Sequence, residues 1–239
     1  MSEVDSREYL SYLRRLPFSS LIGELVKALR NDNIEKARGL WLGIRDKYKV
    51  DVATALRIID IIVRVYPDVK YSSILYVFSD VILNQVLQDL LKVLDEYGSA
   101  SYSLDYMLIK LESSLGAAYE CFKSVTNSEE QAYQALNSFI RNKAIMSKLV
   151  KALNNKGYLG YGGIEFFLRY IDQPRFNLLR KCSAALRKGI YEEVTTNDHY
   201  LSIFVEHLIS NINDLDELEE SLRELSTLKH FTNIINNLK

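Results

Sequence analysis

The sequence predicts an all-α protein, a multi-helix bundle or short α-solenoid of antiparallel helical hairpins with about 12–13 helices, and three observations lead there. Apolar residues recur at spacings of three and four almost from end to end. The 239 residues include only 3 prolines and 10 glycines, too few to punctuate the many turns of a β-protein. The polar breaks between periodic stretches are short, as they are between helices that pack as antiparallel neighbours.

Taken in order, Tyr9, Tyr12, Leu13 and Leu16 stripe a first helix that Pro17 stops, and Leu21, Leu25, Val26 and Leu29 stripe a second. Asp32 followed three residues later by Glu35 reads as a capping box, opening a third helix with Ile34, Ala37, Trp41, Ile44 and Tyr48 inside. The fourth carries Val52, Ala55, Leu56, Ile59, Ile62, Val63 and Tyr66, and Pro67 closes it. Residues 72–97 are apolar on more than one face, which predicts a single central helix surrounded by the others. A sixth helix is expected from about residue 103 to 122, and Ser128 with Gln131 forms a capping box for a seventh. Ile145, Leu149, Val150 and Leu153 continue the pattern until Asn154, Asn155 and Gly157 interrupt it.

The stretch NNKGYLGYGG, residues 154–163, holds 4 of the 10 glycines and is the expected mobile or functional loop. A short helix before Pro174 follows, then one with Phe176, Leu179, Cys182 and Leu186 inside, and one from Asp198 with Leu201, Phe204, Val205, Leu208 and Ile212. Asp214 with Glu217 opens an acidic helix, and Leu228, Phe231, Ile234 and Leu238 finish the chain.

With 48% apolar and 26% charged residues the composition is that of an ordinary globular protein, and the length allows a sizeable core. One domain over residues 1–239 is expected, with a division into 1–126 and 127–239 as the alternative. Residues 39–67 partly fit the spacing of a tetratricopeptide unit, through Leu42, Gly43, Ala55 and Pro67. Gly39 and Asp46 stand where an aromatic and a tyrosine belong, and no second copy precedes or follows, so the window reads as a helical hairpin only.

The opening ten residues carry Glu3, Asp5 and Glu8 and no apolar segment, unlike a secretory signal or transit peptide. Asp80 and Asp89 interrupt the most apolar stretch, so no membrane association is expected and the chain reads as cytoplasmic. Cys121 and Cys182 have neither a redox-pair nor a zinc-knuckle spacing and read as small buried hydrophobes.

Catalytic and cofactor patterns do not surface, and the expectation is a protein that is not an enzyme and holds no cofactor or metal. His199, His207 and His230 form no HExxH, and the first two lie two helical turns apart. Gly157, Gly160, Gly162 and Gly163 miss the dinucleotide-binding spacing, with Glu165 where the last glycine belongs.

Charge is what stands out. From residue 131 to 191 the basic residues Arg141, Lys143, Lys148, Lys151, Lys156, Arg169, Arg175, Arg180, Lys181, Arg187 and Lys188 face only Glu165 and Asp172. From 192 to 224 ten acidic residues face the single base Arg223. Such segregation suits an interaction surface, and it also suits two blocks that neutralise each other. The favoured expectation is a non-catalytic interaction protein, a subunit or adaptor, with a protein partner or self-association. Asp216, Glu219, Glu220 and Glu224 are its candidate acidic face.

The alternative expectation is binding of RNA or single-stranded DNA by the segment 141–188. Its candidate residues are Arg141, Lys143, Lys148, Lys151, Lys156, Tyr158, Tyr161, Arg175, Arg180, Lys181, Arg187 and Lys188, cations for phosphates and rings for bases. Phe166, Phe167 and Tyr170 lie close by, and the competing reading puts Phe166, Phe167 and Phe176 in the core.

Overall fold

The computed structural model describes residues 17–99 and 102–211, and the expected first helix and the acidic helices beyond residue 211 lie outside them. The described residues form twelve helices and no strand, an all-α fold. They divide into two compact units: residues up to Val86 with Ala118–Ala132, and Leu87–Ala117 with residues from Tyr133 on.

In the first unit, α1 (Phe18–Arg30) follows Pro17, and α2 (Ile34–Tyr48) packs against it. The cap of α2 is Asn33, one residue later than the sequence suggests, and its side chain accepts from the Lys36 N–H at 3.2 Å. Asp32 sits instead in the left-handed turn at φ 55°, its carboxylate taken by Lys70 at 2.5 Å and Ser73 at 3.3 Å. Helix α3 (Val52–Val65) is capped by Asp51, whose carboxylate accepts from Thr54 N–H at 2.8 Å. Its buried face is Ala55, Ile58 and Ile62, while Val63, placed inside by the sequence reading, is exposed.

The expected central helix over 72–97 is broken. α4 (Tyr71–Val77) and α5 (Ser79–Ser99) meet at Phe78 with a bend of 81°. Side chains of α2 make the break. The Arg38 guanidinium donates to the carbonyls of Tyr76, at 3.4 Å, and of Val77, satisfying acceptors that a continuing helix would have used. Asp80 at the start of α5 accepts from Arg38 at 3.2 Å and from Trp41 Nε1 at 3.3 Å, and it also pairs with Arg45. Phe78, fully buried, turns in against Trp41 with ring centroids 4.4 Å apart. A side chain of such size removed from water stabilises by about 2–3 kcal/mol, so the kink is offset by core. Leu25, Leu40, Ile44, Ile62 and Ile74 complete that core.

α6 (Leu104–Thr126) and α7 (Glu129–Ile140) each contribute to both units. Ser128 Oγ accepts from the Gln131 N–H at 3.4 Å, as the capping box at the start of α7 requires.

The second unit holds α8 (Lys143–Asn155), α9 (Tyr161–Ile171), α10 (Asn177–Lys181), α11 (Ser183–Thr195) and α12 (Asp198–Asn211). α11 packs on α8, α9, α10 and α12, and α9 also packs on α12. The stripe Phe176, Leu179, Cys182 and Leu186 is buried as expected, but the chain breaks at Cys182, so two helices stand where one was predicted. The first of them, α10, is held from outside: Glu112 of α6 accepts the N–H groups of Leu178 and Leu179 at 2.8 and 2.9 Å.

Candidate functional site

The glycine-rich segment is a packed junction and not an open loop. Helix α8 ends at Asn155 and is turned off by Gly157, φ +75°, with Tyr158 N–H reaching back to Leu153 C=O at 2.8 Å and Gly157 N–H to Asn154 C=O at 3.0 Å. Gly162 and Gly163 already belong to α9. A Cβ at Gly163 would stand 2.7 Å from the Tyr158 backbone, and one at Gly160 would stand 2.6 Å from the His207 ring. Gly160 and Gly163 are spent on close approach of protein to protein, while the space at Gly157 and Gly162 is open.

Side chains close by are ordered by that junction. Tyr158 lies parallel to Phe166, centroids 5.8 Å apart and planes 7° apart, and Phe166 meets Tyr170 at 5.8 Å. Tyr170 meets Phe176 at 6.5 Å, and Arg175 lies over both of those rings. Phe167 and Phe176 are core, but Phe166 is 49% exposed. Asp105 of α6 fixes the far end, accepting from Arg175 at 2.5 and 2.9 Å and from the Tyr170 hydroxyl. The Tyr170 and Arg175 hydrogen bonds hold the Asp105 carboxyl below its ordinary range, and the same contact raises the Tyr170 phenol. Tyr161 opens α9.

The basic block divides in two. Arg141 donates from one guanidinium nitrogen to both Glu192 carboxylate oxygens at 2.7 and 2.8 Å, Lys148 pairs with Asp95, Arg175 with Asp105, and Arg187 with Glu165 at 2.6 Å. Lys181 bonds the Tyr133 hydroxyl at 2.6 Å and lies over its ring, and Lys156 lies over Tyr97. Lys143, Lys151, Arg169, Arg180 and Lys188 are exposed and form no ion pair among the described residues. Among the described residues of the acidic block, Glu192 alone takes a cation from the basic one, and the other partners come from α5, α6 and α9. Asp216, Glu219, Glu220 and Glu224 lie outside the described residues.

Helix α3 offers a second surface that the sequence reading missed. At 100° per residue its charged positions Arg57, Asp60 and Arg64 form one narrow stripe, the exposed Thr54 falls between the directions of Ile61 and Val65, and the remaining positions are apolar. The core uses Ala55, Ile58 and Ile62, which leaves Ile61 57% and Val65 59% exposed on one flank and Val63 on the other. The missed signal was the narrowness of the polar stripe. A buried stripe alone needs only about a third of the circumference.

In the first unit a concavity of about 460 Å³ lies between the end of α1 and the turn after α3, lined by Lys27, Arg30, Asn31, Tyr66 and Asp68. Arg30 is bound to Asp68 at 2.6 Å, which holds that carboxyl low, and lies 5.8 Å from the Tyr66 ring centre. Among the described residues no three His, Cys, Asp or Glu side chains converge as a metal site would require. Burial pushes the Cys121 and Cys182 thiols up to about 11, which keeps them protonated and unreactive at neutral pH. No single described helix is long and apolar enough to cross a membrane; α4 and α5 reach that length and composition only together, across their bend. No family model matches the chain, and no curated protein or solved structure is significantly similar to it.

Proposed function

We propose that the chain is a non-catalytic helical interaction protein, a subunit or adaptor in a larger assembly, and that a protein partner seats on the outer flank of α3. The observation that supports this is the pair Ile61 and Val65, one turn apart on the same side of the helix and each more than half exposed. A lone exposed apolar residue is ordinary, but two stacked β-branched side chains beside an already filled core are apolar surface suited to a partner. Covering them with a partner's apolar side chains stabilises the complex by about 1.5–3 kcal/mol per side chain. Arg57, Asp60 and Arg64 along the polar stripe supply the charged rim that sets orientation.

The test compares proteins captured from the source organism by the wild type and by the double variant Ile61→Glu, Val65→Glu, with sedimentation velocity reporting self-association. A protein, or a second copy, retained by the wild type and lost from a variant with an unchanged thermal melt supports the reading. Identical capture and identical sedimentation of the two proteins overturn it.

A further inference from the structure

We propose that the second unit carries a binding surface for single-stranded nucleic acid along α9, in which Tyr158, Phe166 and Tyr170 stack bases and Arg169 and Arg180 take phosphates. The proposal is independent of the α3 reading, since it concerns other residues and another class of ligand.

Helix α9 buries Ile164, Phe167, Leu168 and Ile171, which is all its core contact needs. Phe166 is a large ring left half outside that core, at a cost in hydration that a polar residue would avoid. Phe166, Arg169 and Tyr170 are related as i, i+3 and i+4, so they share one face, and Arg169 is exposed with no ion pair among the described residues. Tyr158 extends the row on the other side of Phe166. Arg180 stands one helical turn beyond Phe176, whose ring adjoins Tyr170.

The row is also fixed before any ligand arrives. Gly163 lets the backbone of Tyr158 close on α9, and Asp105 holds both Tyr170 and Arg175. Rings whose positions are already set lose little entropy on binding. Aromatic faces interleaved with guanidinium groups are the chemistry that recognises unpaired bases on a phosphate backbone, each stacked base contributing about 1–3 kcal/mol.

The charge pattern selects the single strand over the duplex. A duplex is held chiefly by cations on its phosphates, and Arg141, Lys148, Arg175 and Arg187 are committed to carboxylates. Asp105 and Glu165 are neutralised in return, while Asp172 at the end of α9 is an exposed carboxylate with no ion pair among the described residues. That residue restricts the surface to a few nucleotides at its Tyr158 to Tyr170 stretch.

Fluorescence anisotropy with labelled dodecamers of uridylate and thymidylate and with a duplex of equal length, at low and physiological salt, tests the proposal. The expected result is saturable, salt-sensitive binding of the single strands, at least tenfold weaker in Phe166→Ala and in Arg169→Glu, and restored in Phe166→Tyr, with the duplex bound more weakly. The Ile61→Glu, Val65→Glu variant is expected to bind the oligonucleotides as the wild type does. Absence of saturable binding at low salt, equal binding by wild type and Phe166→Ala, or a duplex bound as well as the single strands would each overturn it. So would loss of a captured protein, and of no oligonucleotide, in the α9 variants, which would make the row a protein contact.

Discussion

At Phe78 and at Gly157 the chain leaves one helix and begins the next, and the two breaks are made by opposite means. At Phe78 no local residue demands it: the carbonyls of Tyr76 and Val77 are drawn off by Arg38, some forty residues earlier, and Asp80 gathers Arg38, Arg45 and Trp41 on one carboxylate. At Gly157 the backbone itself does the work, through a left-handed glycine and two further glycines that permit contact. A turn written into the backbone survives the loss of any one distant neighbour, whereas a turn imposed by side chains is only as stable as the ionic cluster that imposes it.

The largest expected effect therefore lies at Asp80. Asp80→Ala leaves two arginines and an indole N–H without their acceptor in a partly buried site, and a loss of about 3 kcal/mol is expected in urea denaturation. A loss below about 1 kcal/mol would mean that the core around Phe78 holds the break unaided. Next comes Gly163→Ala. Helix propensity favours alanine by about 1 kcal/mol, but the group it meets is the rigid backbone of Tyr158 at 2.7 Å. A net loss of about 2 kcal/mol is expected from overpacking, and a gain would show that the junction gives way. The smallest effect is at Gly157→Ala, where the space is open and only the left-handed backbone resists. About 1 kcal/mol is expected there, and thermal melts of the variant and wild type would resolve whether it is smaller still.

The same contrast explains what could be read from the residues alone. Periodicity reported the helices and most of the buried stripe, because a helix face repeats at fixed intervals whatever it packs against. Gly157 ended α8 legibly for the reason just given. The break after Val77 was illegible because its cause, Arg38, lies on another helix and only folding brings it near. The basic segment showed a similar limit. Sequence listed its cations correctly but could not tell Lys148, engaged with Asp95, from Lys151, exposed three residues on. The aromatic row was half visible, since Tyr158 and Tyr170 were noted, yet the exposure of Phe166 beside a buried Phe167 depends on which face of α9 meets α12 and α11.

The first unit takes its material from two places in the chain, the residues up to Val86 and Ala118–Ala132, with Leu87–Ala117 assigned to the second. During ribosomal synthesis the last piece of the first unit thus emerges only after the opening stretch of the second has been made. Cys121, whose thiol sits 3.9 Å from the carbonyl of Ser79, arrives in that late piece. Domains made from one continuous stretch fold in the order in which they are translated, but here the earlier unit must wait, partly built, for sequence that follows the start of its neighbour. A nascent chain stalled near residue 100 would hold the Trp41 and Phe78 core without its closing segment, and that unfinished state is the one a chaperone would meet.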